Sequence, residues 1–361
     1  MKKNLFYLLA LLLLIGCTNN SFKIEGSVND DSLNGQTVYL KDRINGEWVN
    51  LDSTIISDKK FSFKGTADTI KTVYMLTQTA SGEKLRNVLI LEPGTINIVY
   101  ENSEFVINGT PQNEILNQYI SIKNNLYKEI EAYYKSTFKP DMNSDEKTQF
   151  EQKMDVYNQK DKDIDIDYAT RNVNTEVGTY IFASSYYNMN VSEKENITSL
   201  MNESTRQKER IHKIIENIAI EKQTAVGEHF TDIKLPSITG DSLALSDLVG
   251  KTDYVLIDFW ATWCGPCMRS MPDMKDLYNK YKGQKLEVLG VSLDQDETAW
   301  KKIVKEKELS WKHISDLAGW QSQGAKLYAI NSIPATVLID KNGIIKGRNL
   351  SHSELENILS K

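Results

Sequence analysis

The chain has 361 residues, of which 25% are charged and 40% apolar, and its formal net charge is −6. That length is enough for two or three domains, and the composition is that of a soluble body. The acidic balance gives no reason to expect a nucleic-acid partner.

The first residues have the pattern of a secretory signal. A charged start, Met1–Lys3, precedes the apolar run from Leu5 to Ile15, which is too short to span a bilayer. The run ends in Leu14-Ile15-Gly16-Cys17, which resembles a bacterial lipobox. This resemblance implies that residues 1–16 are a lipoprotein signal peptide and that Cys17 is lipidated as a membrane anchor. An ordinary cleaved signal beside an unrelated cysteine is the alternative.

Residues 17–110 are predicted to form a small antiparallel β-sandwich. Short segments of this region alternate apolar and polar residues, which is the period of a strand with one buried face. Turn-forming pairs that end in glycine separate these segments, at Asn34-Gly35, Asn45-Gly46, Ser81-Gly82 and Pro93-Gly94.

Residues 111–224 are predicted to be a helical region. Apolar residues recur three and four positions apart at Ile115, Tyr119, Ile122, Leu126 and Ile130. A later, more apolar helix carries the aromatic residues Tyr180, Phe182, Tyr186 and Tyr187. These rings could line a peptide groove, but aromatic residues at helical spacing usually pack inward.

A dithiol stands where a predicted strand, Tyr254–Trp260, meets a predicted helix, in Trp263-Cys264-Gly265-Pro266-Cys267. Unpaired N–H groups and the macrodipole at a helix start lower a thiol pKa from about 8.5 toward ~7. Cys264 is therefore predicted to be the nucleophile. Cys267 lies one helical turn later, on the same face, and is predicted to be the resolving thiol that closes a redox disulfide with Cys264.

Two other interpretations of this cysteine pair are less favoured. A zinc site needs further ligands, and the only other cysteine and the four histidines show no ligand spacing with the pair. A purely structural disulfide across so short a loop would stabilise the fold weakly. No metal and no cofactor are expected.

The segment from about Val226 to Lys361 resembles the thioredoxin superfamily, which implies an α/β fold with a central mixed sheet flanked by helices for residues 225–361. Asp258, six residues before Cys264, matches the buried carboxylate of thioredoxins. Pro272 matches the proline inside their active-site helix. Ile333-Pro334, followed by a predicted strand over residues 335–340, matches their cis-proline loop.

The resemblance implies a role for each matched residue. A cis-proline would expose the backbone of Ile333 beside the sulfurs as a docking edge for substrate. Substrate docking is accordingly expected at Trp263, Gly265, Pro266, Ile333 and Pro334. A buried Asp258 would have a raised pKa and could accept the proton of Cys267. The alternative for Asp258 is a strand-end carboxylate that faces water.

Within the superfamily, the chain resembles membrane-tethered TlpA/ResA-like thiol-disulfide oxidoreductases more than it resembles thioredoxins. Residues 228–248 resemble their opening strands, and residues 294–331 resemble their helical insertion. The chain departs from its relatives at Ser270, where ResA-like proteins have a glutamate, and at Gly290, near the lysine position of thioredoxins. Asp258 is therefore expected to lack a cationic neighbour, so that desolvation alone would set its pKa.

The favoured function is an envelope-anchored reductase of periplasmic protein disulfides. The Gly265-Pro266 pair is that of thioredoxin, whose potential of about −270 mV lies well below the ~−120 mV of a strong oxidant. The expected partners are periplasmic disulfide substrates, a membrane thiol electron donor and the membrane itself. Cytochrome maturation is one expected role. A disulfide isomerase, or a partner-binding lipoprotein with a secondary redox domain, are the alternatives.

Overall fold

The computed structural model describes residues 20–44 and 46–361, which divide into two compact units, one ending at Ser185 and one beginning at Tyr186. The predicted signal peptide and Cys17 lie outside the described residues. Within the described ranges, no helix has the length and apolar character needed to cross a bilayer.

The first unit begins with strands that form two sheets. Their bounds are β1 Ser21–Val28, β2 Thr37–Ile44, β3 Glu47–Ile55, β4 Lys60–Thr66, β5 Lys71–Gln78, β6 Lys84–Leu91, β7 Gly94–Glu101 and β8 Glu104–Asn108. One sheet has the order β4-β1-β7-β8 and the other β3-β2-β5-β6. Inward-facing residues of both sheets form one core, including Ile24, Val38, Phe63, Val73 and Ile96.

The predicted β-sandwich is confirmed, with one pair that differs from the antiparallel expectation. Strands β1 and β7 run parallel, with Phe22 opposite Gly94, whereas the other paired strands of this unit are antiparallel. The alternating pattern identifies which residues face the core, but it carries no information on which strand lies beside which.

The predicted helical region is confirmed as helices, which the two units share. The first unit contains α1 Pro111–Thr137, α2 Ser144–Arg171 and α3 Glu176–Ser185; the second contains α4 Val191–Ser199, α5 Glu203–Arg206 and α6 Glu209–Gln223. Phe182 is fully buried and Tyr187 is 59% exposed. The segment boundaries at residues 110 and 224 stay predictions.

The second unit continues into an α/β domain with the predicted central mixed sheet. Its elements are β9 Lys234–Pro236, β10 Ser242–Ala244, β11 Tyr254–Trp260, α7 Gly265–Tyr281, β12 Leu286–Ser292, α8 Glu297–Glu306, β13 Lys312–Ile314, α9 Gln323–Leu327, β14 Ala335–Asp340, β15 Ile345–Arg348 and α10 His352–Leu359. The five-stranded sheet has the order β13-β12-β11-β14-β15. Strands β11, β12 and β13 are parallel, and β14 and β15 are antiparallel to their neighbours.

Strand β11 lies at the centre of this sheet, and it carries the chain into the predicted redox motif. Residues from Val255 to Trp260 are buried on both faces, which explains the nearly continuous apolar run in the sequence. Because the carboxyl ends of the parallel strands meet at one edge, the segments that follow β11 and β12 lie close together.

A buried ion network joins α1 to α2 in the first unit. The Nζ of Lys123 lies 2.5 Å from a carboxylate oxygen of Asp161 and 2.8 Å from one of Asp165. The hydroxyl of Tyr119 donates to Asp165 at 2.8 Å. Lys123 and Asp165 are only 7% and 2% exposed, so each charge depends on the others for stabilisation.

We expect the Lys123→Met variant to lose about 3–5 kcal/mol of unfolding free energy, because the change leaves buried carboxylates without their cation. Denaturant unfolding followed by circular dichroism at neutral pH measures the loss.

The matched control is Lys128→Met on the same helix, where an exposed lysine pairs with Glu104 at 2.8 Å. That pair is in water, so its loss should cost about 1 kcal/mol or less. Equal losses in both variants would contradict the buried network.

Candidate active site

The two sulfurs lie at the start of α7. Cys264 is the N-cap residue, and its Sγ accepts the backbone N–H of Cys267 at 3.1 Å. Pro266 stands in the first turn, where its missing N–H costs no helical hydrogen bond. Cys264 and Cys267 form a disulfide, with an S–S distance of 2.00 Å, and are 5% and 2% exposed. The structure therefore has the dithiol in its oxidised form.

The loop between β11 and α7 is held by Asp294, which follows β12. Thr262 donates to the Asp294 carboxylate from its backbone N–H at 3.0 Å and from its hydroxyl at 2.6 Å. The hydroxyl of Ser292 donates to the same carboxylate at 2.8 Å. Asp294 is 1% exposed. The carboxylate thus fixes the backbone two residues before Cys264, a contact that the sequence analysis missed because no spacing rule joins the two residues.

The Ile333-Pro334 segment faces the disulfide. The bond between these residues is cis, and the carbonyl oxygen of Ile333 lies 3.6 Å from the Sγ of Cys264. Pro334, Gly265 and Pro266 are exposed and Ile333 is half-buried. The structure therefore brings the predicted docking residues together around the sulfurs.

Two exposed tryptophans lie at this surface. The rings of Trp263 and Trp320 are 6.0 Å apart between centroids, and the side chains are 54% and 45% exposed. The sequence analysis placed Trp320 in an insertion and gave it no role. A large aromatic side chain left in water beside a reactive group is unusual, but only the structure shows that it is in water.

Asp258 lies in the middle of β11, opposite Thr336 on β14 and Gly290 on β12. It is 6% exposed, and burial alone raises the pKa of its carboxyl to about 7. The alternative of a water-facing carboxylate at the strand end is therefore wrong.

The position opposite Asp258 has no room for a side chain. A Cβ on Gly290 would lie 2.6 Å from Nδ1 of His313 and 3.1 Å from Nε1 of Trp260. Burial lowers the pKa of His313 to about 4, so this imidazole is neutral at physiological pH. The space beside Gly290 is thus filled by two uncharged rings, and burial is the only cause of the raised pKa of Asp258.

A cavity of about 240 Å³ connects the Asp258 carboxyl with the surface. Asp258 and Cys267 line its inner part, and the exposed residues Ser270, Asp273 and His352 line its mouth. The carboxyl and the second cysteine therefore border one common space, through which a proton can be exchanged with solvent. Within the described ranges, no cluster of histidine, cysteine and acidic residues has the arrangement of a metal site.

Comparisons with known proteins match two separate parts of the chain. The AhpC/TSA family model matches residues 226–348, and a domain of unknown function, DUF4369, matches residues 22–116. The thiol-disulfide oxidoreductase ResA of Geobacillus kaustophilus is 38% identical over 122 residues, which cover 34% of this chain and 67% of that protein. The ResA protein of Bacillus thuringiensis subsp. konkukian is 32% identical over 145 residues, which cover 39% of this chain and 80% of that protein.

Solved structures are also similar to part of the chain. A thiol-disulfide oxidoreductase from Bacteroides fragilis is 33% identical, with a TM-score of 0.35, and the match covers 37% of this chain and 98% of that one.

We expect the burial of Asp258 to make the oxidised fold less stable as the pH rises. The carboxyl pKa is 3.8 when unshifted and about 7 in the fold, so between these values the folded state holds a proton that the unfolded state has lost. The contribution of Asp258 to stability should fall by about 1.4 kcal/mol per pH unit in this window. The buried His313, whose pKa is lowered from 6.5 to about 4, contributes a slope of the opposite sign over most of the same window, so the effect of Asp258 is read from the difference between variant and wild type. The gain in stability of Asp258→Asn over wild type should grow at that rate and reach several kcal/mol above the window, which denaturant unfolding of both proteins at a series of pH values measures.

Asp273→Asn is the control, since this exposed carboxylate lines the same cavity. It should leave the pH slope unchanged. A stability difference between Asp258→Asn and wild type that does not grow between the two pKa values would contradict a desolvated Asp258.

Proposed function

Because this chain belongs to the ResA-like thiol-disulfide oxidoreductases, which carry a thioredoxin-like domain, we propose that it reduces protein disulfides in the bacterial envelope. The observation that carries the proposal is the cysteine pair at the start of α7, which borders a common cavity with a buried carboxyl of raised pKa. The Gly265-Pro266 pair between the cysteines favours reduction over oxidation.

The cycle starts from the reduced protein. The N–H of Cys267 and the positive end of the α7 macrodipole stabilise a thiolate on Cys264. This thiolate attacks one sulfur of a substrate disulfide. A Cys264–substrate bond forms, the substrate S–S bond breaks, and the other substrate sulfur leaves with the electron pair and takes up a proton.

Cys267 completes the transfer. Its thiol gives its proton to Asp258, whose raised pKa makes the carboxylate a competent acceptor near neutral pH. The new thiolate attacks the Sγ of Cys264 and releases the second substrate sulfur. Two electrons have then passed to the substrate, and the protein holds the Cys264–Cys267 disulfide. A membrane thiol donor supplies two electrons to restore the dithiol.

The substrate chain docks on the surface around Cys264. The backbone of Ile333, within 3.6 Å of the reacting sulfur, offers a carbonyl to an extended segment that carries the substrate cysteine. Gly265 and Pro266 leave the approach open, and Pro334 and Trp263 provide apolar contact. Trp320 extends this apolar surface next to Trp263.

The place of action follows from the N-terminal signal. Residues 1–16 direct export, and a lipid on Cys17 holds the protein at a membrane surface on the periplasmic side. Confinement at this surface raises the effective concentration of the dithiol near membrane-bound partners, including the electron donor.

The reductase proposal predicts that Cys267→Ser accumulates a mixed disulfide between Cys264 and its substrate, because the resolving thiol is absent. Insulin reduction should fall by several orders of magnitude. Non-reducing electrophoresis with mass spectrometry identifies the bond, and Cys264→Ser is the control that should trap nothing.

The same variant separates a reductase from an isomerase. An isomerase needs only the attacking thiol to rearrange wrong disulfides, so efficient refolding of scrambled ribonuclease by Cys267→Ser would favour the isomerase. Mixed disulfides formed through Cys267 in Cys264→Ser would overturn the assigned roles.

The docking surface predicts that Trp320→Ala raises KM for a protein disulfide about tenfold, because an exposed tryptophan at an interface centre commonly contributes more than 1 kcal/mol. Reduction of a small aliphatic disulfide such as hydroxyethyl disulfide, which has no ring or apolar segment to pack on this tryptophan, should be unchanged. Steady-state kinetics with both substrates measure the difference.

Trp48→Ala is the control, since Trp48 is similarly exposed at 39% but lies in the other unit. A Trp320 variant with wild-type KM for protein disulfides would remove this ring from the docking surface.

A further inference from the structure

The hairpin of β2 and β3, which we name the ribbon, is an open edge of the first unit. In its sheet, β3 pairs only with β2. Strand β2 pairs with β3 from Thr37 to Ile44 but with β5 only from Tyr39 to Lys41. The turn end of the ribbon, formed by Asp42–Ile44 and Glu47–Val49, therefore extends beyond the part of the sheet that is paired on both sides.

The ribbon is rich in exposed apolar side chains. Six residues of these two strands are large, apolar and between 38% and 62% exposed: Tyr39, Ile44, Trp48, Val49, Leu51 and Ile55. Strands of a soluble domain normally place polar residues on faces and edges that meet water. Such a concentration of apolar surface on one edge indicates that something else covers it.

Cations accompany the aromatic rings of the ribbon. The Nζ of Lys41 lies 5.1 Å from the ring centroid of Tyr39, and the guanidinium of Arg43 lies 5.5 Å from that of Trp48. The ring of Trp48 also packs edge-to-face on the ring of Tyr74, with 5.1 Å between the ring centroids. Aromatic side chains beside lysine and arginine are typical of the headgroup layer of a membrane, where the rings lie at the interface and the cations meet phosphates.

The charged strand residues on the outward face of this sheet are all cations, although Glu176 of α3 accepts hydrogen bonds from Thr72 at the same face. The register places Lys41, Arg43, Lys84 and Arg86 on this face, opposite to the buried residues Leu40, Met75 and Leu89. Among the described strand residues on the same face, none is an aspartate or a glutamate. In a chain whose net charge is −6, this face is complementary to an anionic surface.

The chain enters the first unit at the same end as the turn of the ribbon. The carbonyl of Asn20 accepts the N–H of Ala67 at 2.7 Å, and the segment after Ala67 leads directly into β5. There, Lys71 pairs with Asp42 of the ribbon at 2.8 Å. Ile70, between these contacts, is another apolar side chain, 45% exposed.

Cys17, the predicted lipidation site, is only three residues before Asn20, where the chain enters this end of the first unit. Three residue steps span at most about 10 Å. A lipid on Cys17 would therefore hold this end of the sandwich at the headgroups. This inference rests on the lipid anchor of the proposed function.

We propose that the ribbon docks on the membrane by its turn end, with Ile44 and Trp48, which the register places on opposite faces of the ribbon, in the interface and with Lys41 and Arg43 on anionic phospholipid headgroups. The lipid anchor and the ribbon are then two points of attachment, which orient the first unit on the bilayer instead of leaving it to rotate about a single tether.

The test uses residues 18–361 without lipid, which retain every described element, and sedimentation with vesicles. Vesicles of equal parts phosphatidylglycerol and phosphatidylcholine should bind the protein more tightly than phosphatidylcholine alone. Lys41→Gln with Arg43→Gln should weaken binding about fivefold for each cation removed. Ile44→Ser with Trp48→Ser should also release the protein from the vesicles.

Matched controls lie elsewhere in the chain. Lys60→Gln with Lys64→Gln removes two exposed cations from β4 in the other sheet, and Leu200→Ser with Val226→Ser removes two apolar residues that are 54% and 60% exposed. Both should bind like the parent protein, and circular dichroism and insulin reduction verify that every variant is folded.

Absence of binding to the phosphatidylglycerol vesicles, or ribbon variants that bind like the parent, would overturn the proposal. The proposal would also be overturned if the parent protein did not bind vesicles but formed a dimer that was lost only in the ribbon variants. The ribbon would then be an interface between two copies of the chain. Insulin reduction by the same preparation, and mass spectrometry of the native N-terminus, report separately on the reductase and on the anchor.

Discussion

The burial of one carboxyl group without a cation is the constraint on which the chemistry proposed for this protein depends. Asp258 lies within the central strand of the sheet, and its pKa of about 7 has burial as its only cause. A lysine at the opposite position would stabilise the carboxylate and lower that pKa. Here Gly290 stands at that position, and the neutral His313 and Trp260 occupy the space. The fold thus keeps the carboxyl able to exchange a proton near neutral pH, at a cost in stability.

In the proposed cycle the dithiol and the carboxyl work as one site, since three neighbouring segments of the second unit fix their positions. Strand β11 carries Asp258, the start of α7 carries both cysteines, and Asp294 holds the backbone between them through Thr262. In that cycle Asp258 takes the proton of Cys267, because the two residues border one cavity that opens to solvent. The sulfur of Cys264, the proposed nucleophile, lies 3.6 Å from the carbonyl oxygen of Ile333.

The sequence was sufficient for the features that local pattern encodes. The motif around Cys264, the buried Asp258 and the cis bond before Pro334 were predicted because each belongs to a known arrangement of residues at fixed spacing. The sandwich and the helices followed from apolar periods of two and of three to four. The parallel pairing of β1 with β7, the Lys123 network and the contact of Asp294 with Thr262 were not predictable. Each joins residues far apart in sequence, and no periodicity records such contacts. Trp320 was missed for a related reason, since its sequence gives no sign that the ring lies in water beside Trp263.

The most direct test of this account is a carbon-13 NMR titration of the Asp258 carboxyl in the oxidised full chain, assigned with Asp258→Asn. The account predicts a midpoint near 7, the value that burial produces in the absence of a cation. A midpoint close to the unshifted value of 3.8 would show that the charged form is stabilised in the fold. Asp258 would then be too weak a base to take the proton of Cys267, and the proposed resolving step would be wrong.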